Sequence, residues 1–368
     1  MTLINRAIVA GLYIHIPFCI KKCRYCAFHS IPYSSQLIKQ YIQAFRKEAE
    51  RRKQNWRITF DTIYLGGGTP SVLKTSELLE ILDIVHNNFD LSPVEFTIEV
   101  NPGTVDRNSL LAYKKAGINR ISIGVQSLKD KELAFLGRIH TKEDAIRCVE
   151  GAKYAGYENI SIDLIYGIPL QDKDSWLTTL KEITKLAPAH ISAYSLSYEP
   201  DTPLYGETQM EEEKEEILYY DMLDYLESKG YIQYEVSSFS IPGYHSRHNL
   251  NYWNGGIYLG LGASAHSYDG RFRSKNPYLN EYIEGKLPQR EEIDREKALE
   301  EYIMLGLRKR EGISIEEISC KFGRTIAEKV LREAYALELD IDGERVRVPR
   351  EKQFVTDAII LSIVSHLK

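Results

Sequence analysis

The order of apolar runs predicts an α/β fold: a parallel sheet built from six strand–helix units, followed by a smaller helical module with a β wing. Three observations carry that prediction. Strand-length apolar runs alternate with amphipathic helical patterns from Leu12 to about Glu199. The 368 residues are 43% apolar, enough for one extensive core and a second, smaller one. After Gly206 the alternation stops and helical patterns dominate.

The strand candidates are Leu12–Phe18, Thr62–Leu65, Glu95–Val100, Arg120–Val125, Ile160–Tyr166 and His190–Leu196. Between them, Leu37, Ile38, Tyr41, Ile42, Phe45 and Ala49 recur at helical spacing, as do Leu78, Leu79, Leu82 and Val85 after the candidate caps Thr75 and Ser76. The segment from Thr141 to Gly156 opens on a capping residue and closes on a glycine. Pattern alone leaves a partial barrel and an open doubly wound sheet both possible. Six units are too few for an eight-fold barrel.

Beyond Gly206 a helix is expected over Met210–Lys229 and a strand over Tyr231–Val236. A Gly-, Asn- and aromatic-rich stretch follows from Pro242 to Tyr268. From Asp294 the pattern reads helix, short helix, helix, a hairpin over Leu339–Arg347, and a last helix, which suggests a winged-helix-like module. The expected division is a core at 1–230, a connecting segment at 231–290 and a small C-terminal domain at 291–368.

The formal charge is −5, so no broad basic surface is implied and nucleic acid is not an expected partner. The acidic run Glu211–Glu216 reads as the solvated first turns of a helix, where carboxylates suit the dipole. No apolar run approaches the ~20 residues of a membrane helix, so no membrane anchor is expected. Residues Ile8 to Phe18 resemble a signal segment in hydrophobicity, but they contain His15 and lack a small-residue cleavage site. A buried first strand is the expectation there. Of five cysteines, three fall within eight residues, while Cys148 and Cys320 stand apart and read as small buried hydrophobes. An odd, clustered set argues for metal in a reducing compartment, hence a cytoplasmic protein, and against a disulfide framework.

Polar residues and glycines repeatedly fall where the apolar runs end. Cys19 follows the first, Gly66-Gly67-Gly68-Thr69 the second, and Glu99 and Asn101 close the third. Gln126 ends the fourth, Asp163 lies within the fifth, and Ser197 to Glu199 end the sixth. One pocket fed by six strand ends is the economical reading. Within it, Cys19-x3-Cys23-x2-Cys26 places three thiolates in one loop, enough for three irons of a cubane cluster. Zinc completed by His29 or His15 is the competing reading of the spacing.

The stretch Tyr13-Ile-His15-Ile-Pro17-Phe-Cys19-x3-Cys23-x-Tyr25-Cys26 resembles the radical S-adenosylmethionine (SAM) motif. More narrowly the chain is similar to the branch that contains oxygen-independent coproporphyrinogen III dehydrogenase and HemW-type haem chaperones. The likeness spans nearly the whole chain, through Gly66–Pro70, Glu99-Val-Asn-Pro, Gly124-Val-Gln126-Ser, Leu136-Gly-Arg138-x-His140, Ile162-Asp163 and His248-Asn249-Leu250-Asn251-Tyr252-Trp253. The resemblance implies a partial (β/α)6 TIM-like barrel and a [4Fe–4S] cluster on Cys19, Cys23 and Cys26. It further implies SAM contacts from Tyr13, Tyr25, Gly67, Gly68, Thr69, Glu99, Gln126, Arg138, Asp163 and Ser197. The glycines would let backbone groups approach the cofactor. Arg138 and Asp163 read equally as a salt bridge closing the barrel, and His15 equally as a satisfied core histidine.

Two departures separate the branches. Coproporphyrinogen enzymes carry a further Cys two places after the third, where this chain has Phe28, and a long extension before the motif, where this chain reaches Cys19 almost at once. HemW-type proteins match at both points and carry HNxxYW. In that motif His248 would ligate haem iron, Tyr252 and Trp253 would stack on the macrocycle, and Asn249 would orient the imidazole. A polar turn packed on the barrel is the plainer reading of the same residues. His245, His266 and His140 are weaker candidates for a second axial ligand. The resemblance thus implies a haem chaperone using haem, cluster and SAM, with a respiratory or haem-storage acceptor and a flavodoxin- or ferredoxin-like electron donor. The alternative is oxidative decarboxylation of coproporphyrinogen III in porphyrin biosynthesis.

Overall fold

A computed structural model of the chain describes residues 10–367. Six parallel strands form its centre: β1 (Ala10–Ile16), β2 (Thr59–Gly67), β3 (Asp90–Val100), β4 (Arg120–Gln126), β5 (Asn159–Tyr166) and β6 (His190–Ser195). They lie side by side in sequence order. A doubly wound sheet would reverse direction at its first strand, and none of the crossovers does so; the winding is that of a partial barrel.

Strand polarity follows the same geometry. In β1, β2 and β4 the residues Leu12, Ile14, Ile63, Leu65, Ile121 and Ile123 face the helices and are wholly buried. The alternate positions, Tyr13, Thr62, Tyr64, Glu99, Ser122 and Asp163, face the lumen. Helices Ser35–Lys53, Thr75–Asn88, Arg107–Lys115, Lys142–Tyr154 and Lys173–Lys185 cover the outside through Phe45, Leu78, Leu110, Val149 and Trp176. Thr141 caps its helix through Asp144 as expected, but Thr75 and Ser76 lie inside the second helix, whose cap is Lys74 with Glu77 reaching back to its N–H.

The sheet extends beyond the six strands. Strands β7 (Ile232–Glu235) and β8 (Ser238–Ser240) pair outside β6. On the other side β9 (Ile257–Leu261) adds parallel to β1, and β10 (His266–Tyr268), β11 (Phe272–Lys275) and β12 (Gln289–Glu292) continue antiparallel, giving twelve strands. The 231–290 stretch is therefore woven into both edges of the main sheet. Its short helix Arg247–Trp253 crosses under the lumen from one edge to the other.

The C-terminal module has its own core of Ile303, Leu307, Ile318, Val330, Val346 and Ile363. Helices Arg295–Leu307, Ile315–Phe322, Arg324–Ala336 and Thr356–Leu367 surround a three-stranded sheet that includes the hairpin Asp340–Asp342 and Arg345–Arg347. Cys148 is buried as expected, whereas Cys320 is exposed. The helix that carries Cys320 is short and buries Ile318 alone, so the thiol falls on its solvent side. No helix among the described residues is long and apolar enough to cross a membrane.

Candidate functional site

The lumen has a mouth, at the carboxyl ends of β1–β6, and a floor. At the mouth the loop from Cys19 to Tyr33 is closed at its base. Phe18–Cys19 pairs in parallel with Ile31–Pro32, Ile31 N–H donates to Pro17 O at 2.9 Å, and Tyr33 N–H donates to Cys19 O at 2.8 Å. Its flank is clamped by Arg24, whose N–H donates to Leu136 O at 3.0 Å and whose guanidinium pairs with Glu207 at 2.8 Å. The three cysteines are thus held in one fixed loop, all as free thiols.

Two of the sulfurs have polar neighbours from outside the loop. Cys19 Sγ lies 3.5 Å from Thr69 Oγ1, and Arg138 Nη1 donates to Cys23 Sγ at 3.4 Å. Burial pushes the Cys26 thiol up, an effect that the neighbouring Cys23 and Cys19 reinforce. Arg138 also donates to Asn101 Oδ1 at 2.7 Å and Gly124 O at 2.6 Å. A shallow opening lies here, lined by Cys23, Thr69, Asn101, Thr104, Arg138 and Ile139. Among the described residues no three His, Cys, Asp or Glu side chains converge on a single ion. His15 and His29 have other partners: His15 Nε2 bonds His29 O at 3.0 Å, and His29 Nε2 accepts from Leu279 N–H at 3.2 Å. Three loop thiols without a fourth protein donor fit a cubane bound through three irons, not a closed zinc site.

The glycine loop after β2 is built into this frame. Gly68 N–H donates to Ile16 O and Thr69 N–H to Phe18 O, each at 2.8 Å. A Cβ on Gly68 would sit 2.7 Å from Phe18 O; one on Gly67, where φ is +112°, would sit 2.6 Å from the His15 ring. The glycines are therefore required first by the packing of the loop against β1. His15 is a satisfied core histidine: its Nδ1 bonds Tyr13 Oη at 3.0 Å, and burial lowers its pKa to about 4.

Below the loop, Glu99 accepts from Tyr64 Oη at 2.7 Å and from Gly67 N–H at 3.2 Å. Burial pushes its pKa up to about 7; Asp163 adds to the rise, while the two donors oppose it. Asp163 accepts from Ser122 Oγ at 3.0 and 3.1 Å, and burial raises it too. Arg138 and Asp163 take separate partners and do not form the barrel-closing bridge. Tyr13 stacks on Tyr64 with ring centroids 6.2 Å apart. Tyr25 lies 3.5 Å from Arg138 Nη1, Gln126 ends β4 at φ +66°, and Ser197 is exposed just past β6. Of the ten residues of the expected SAM set, Thr69 and Arg138 line the opening beside Cys23. Phe28 is 69% exposed on the cysteine loop.

The floor differs. His248 is wholly buried. Its Nδ1 shares a 2.8 Å hydrogen bond with Thr62 Oγ1 and its Nε2 a 2.9 Å bond with Tyr252 Oη. The ring stacks on Tyr64, with centroids 5.2 Å apart. Arg247 and His248 N–H both donate to the buried Glu95 carboxylate at 2.9 Å. Burial lowers His248 to about 3, so the imidazole is neutral. Thr62 and Tyr252, not Asn249, orient it; Asn249 instead donates its N–H to the cap Ser246. Tyr252 packs edge-on against His248 and Tyr258, and Trp253 lies under Arg308 at 5.7 Å. In this arrangement the HNxxYW helix is the plug of the barrel. Of the other histidines, His140 is buried with Nε2 on Val125 O, His245 packs on Tyr234, and His266 is exposed.

Reading for chemistry missed Tyr64 and Thr62, the residues that join floor to mouth. The signal was present: Thr62, Tyr64 and Gly66 alternate with Ile63 and Leu65, which puts the polar set on the lumen face.

Comparison with known proteins bears on the family and the fold. A radical SAM superfamily model matches residues 13–183, and a model of the HemN C-terminal domain matches 293–355. The heme chaperone HemW of Bacillus subtilis (strain 168) is 36% identical over 332 residues, covering 85% of this chain and 87% of the relative. HemW of Escherichia coli (strain K12) is 38% identical over 265 residues, 70% of this chain and 69% of the relative. Among solved structures, coproporphyrinogen III oxidase (HemN) from Escherichia coli aligns with a TM-score of 0.84 at 22% identity, over 97% of this chain and 90% of that one, a likeness of fold.

Proposed function

Because the chain belongs to the radical SAM superfamily and, within it, to the family of the heme chaperone HemW, we propose that it binds haem, a [4Fe–4S] cluster and SAM and passes haem to an acceptor protein. The observation that carries this reading is the identity with HemW relatives over most of both chains. Phe28 supports it: the place where coproporphyrinogen enzymes carry a further Cys holds an exposed phenyl ring.

Cys19, Cys23 and Cys26 would hold the cluster. The cluster, when bound, supplies one electron for reductive cleavage of SAM. The chain's own residues set the pocket around it. Arg138 places positive charge beside the Cys23 sulfur, 3.4 Å from it. Asn101 and Thr69 fix Arg138 and the Cys19 side of the loop. Glu99, only partly exposed to the lumen, offers a carboxylate suited to the ammonium, sulfonium or ribose of SAM. Tyr13, Tyr25, Gly67, Gly68, Thr69, Gln126, Asp163 and Ser197 complete the proposed contacts. A flavodoxin- or ferredoxin-like carrier is the proposed donor, a respiratory or haem-storage protein the proposed acceptor, and the cytoplasm the proposed location.

On the family reading His248 would hold the haem iron, with Tyr252 and Trp253 beside the macrocycle. The floor as built does not present that imidazole: His248 is wholly buried, with Nδ1 bonded to Thr62 and Nε2 to Tyr252 of its own helix. The test is anaerobic reconstitution with iron and sulfide, followed by haem titration of wild type and His248→Ala. Coproporphyrinogen turnover is assayed in the same preparation. Stoichiometric haem binding that weakens in the variant, without turnover, is expected. Turnover to the divinyl product with haem binding indifferent to His248 would overturn the reading in favour of a three-cysteine dehydrogenase.

A further inference from the structure

The face that carries the cysteine loop differs in charge from the rest of the chain. Residues 10–47 hold six Lys or Arg and no Asp or Glu, in a chain whose formal charge is −5. Lys21 and Lys22 lie between Cys19 and Cys23, and both are exposed. Lys21 borders the opening beside Cys23 and Arg138. A third cation reaches the same face from β11. Lys275 Nζ sits 5.2 Å from the ring centre of Tyr278, and that ring packs on His29 at 4.7 Å. Leu279 N–H donates to His29 Nε2 at 3.2 Å, which ties the two segments together. Burial lowers the pKa of His29, and the charges of Lys22 and Lys275 add to the fall, so the two cations converge on one imidazole.

None of these three lysines takes a carboxylate partner among the described residues. Cations elsewhere on the barrel are paired, Arg46 with Glu80, Lys142 with Glu182 and Lys173 with Asp221. Beside the lysines, Ile20, Phe28 and Tyr278 are each more than half exposed. Apolar and aromatic side chains among uncompensated charges of one sign suit a partner of the opposite sign.

We propose that Lys21, Lys22 and Lys275, with Ile20, Phe28 and Tyr278 between them, form the docking surface for a small acidic one-electron carrier protein. The choice of partner rests on the cluster reading above. The loop that would hold the cluster is itself part of the surface, so a carrier seated there delivers its electron with no other element in between. In that step the carrier loses one electron and the cluster gains it; no atom is transferred. The patch is small, as suits a redox encounter that must dissolve after each electron. Three cations fall short of the about four to eight that hold a protein on anionic lipid.

The test uses the full-length chain, with flavodoxin as the carrier. Binding of fluorescently labelled flavodoxin is followed by anisotropy at low and high salt, with and without the reconstituted cluster. Cluster reduction is followed by anaerobic stopped-flow absorbance, driven either by flavodoxin hydroquinone or by the methyl viologen radical cation, a small reductant that needs no docking surface. In Lys21→Glu/Lys22→Glu/Lys275→Glu, flavodoxin binding and flavodoxin-driven reduction are expected to fall about tenfold or more at low salt, the scale of electrostatic steering. Reduction by viologen is expected to hold or rise. High salt should bring the variant and wild type together. Lys275→Glu alone lies outside the cysteine loop, and it should weaken flavodoxin with iron loading intact. Lys181→Glu, exposed on the helix Lys173–Lys185, makes the same change in net charge and should leave flavodoxin binding within about twofold of wild type. The docking role is overturned if the triple variant binds flavodoxin within about twofold of wild type at low salt. It is equally overturned if Lys181→Glu weakens binding as much as Lys275→Glu, if viologen reduction slows in parallel, or if wild type binds phosphatidylserine vesicles and not flavodoxin. Failure of wild type to load iron sinks the cluster reading, and flavodoxin binding to the cluster-free chain then decides the docking role by itself.

Discussion

Mouth and floor of this barrel are lined by the same kinds of side chain, and they use them differently. At the mouth Glu99, Tyr13, Tyr64 and Asp163 remain partly exposed to the lumen, and Cys23 lines a shallow opening. At the floor Glu95, Thr62, His248 and His190 are buried, with partners within the chain: His190 bonds Ser161 and Tyr234 as His248 bonds Thr62 and Tyr252. Between them Arg120 is buried with Nε and Nη1 lacking a protein partner. A polar residue with spare bonding capacity in an accessible lumen is a binding group; the same residue saturated and sealed is architecture. Residue type does not separate these roles, and position along the barrel axis does.

The comparison can be broken at several points. The largest effect is expected from Cys23→Ala at the mouth. Iron after anaerobic reconstitution should fall from about four per chain to near zero, with the apo-protein's far-UV circular dichroism unchanged. Iron retained near four would remove Cys23 from the ligand set. At the floor, Glu95→Ala leaves two backbone donors without their carboxylate and should cost about 3 kcal/mol in urea unfolding, with iron loading intact. Gly67→Ala lies on the border, since it imposes a positive φ on alanine and drives a methyl into the His15 ring. A loss of about 1–3 kcal/mol is expected there, together with weaker SAM binding.

Proton linkage sharpens the contrast further. Burial holds Glu99 at about 7 against an ordinary value of 4.5. The folded state binds that proton more tightly than the unfolded state, so this group's contribution to stability falls as pH rises from about 4.5 to about 7. SAM affinity should rise over the upper part of the same window as the carboxylate ionises, and Glu99→Gln should flatten both trends. At the floor the sign reverses. Neutral His248, held near 3 against 6.5, takes up no proton until strong acid, whereas the unfolded chain does so below 6.5. Stability should fall with acid by up to about 1.4 kcal/mol per pH unit from this one residue, a slope absent in His248→Asn. The smallest effect belongs to neither region: exposed Cys320→Ser should lie within about 0.5 kcal/mol of wild type.

Much of this molecule was legible in its sequence, for reasons of period and spacing. Alternating apolar runs gave six strands whose bounds the structure moves by only a few residues, because one buried face per strand leaves little freedom of register. The C3C2C spacing gathered three thiols into one loop, since eight residues cannot carry them far apart. The choice between partial barrel and doubly wound sheet depended on strand order, which no local pattern encodes. The status of HNxxYW depended on what lies on the other side of the imidazole. Thr62 is 186 residues away from His248 and Glu95 is 153 away, and only closure of the sheet above the helix brings them together. Local sequence determined which residues were able to do chemistry; long-range packing decided which of them were left with bonding capacity to spend on a ligand.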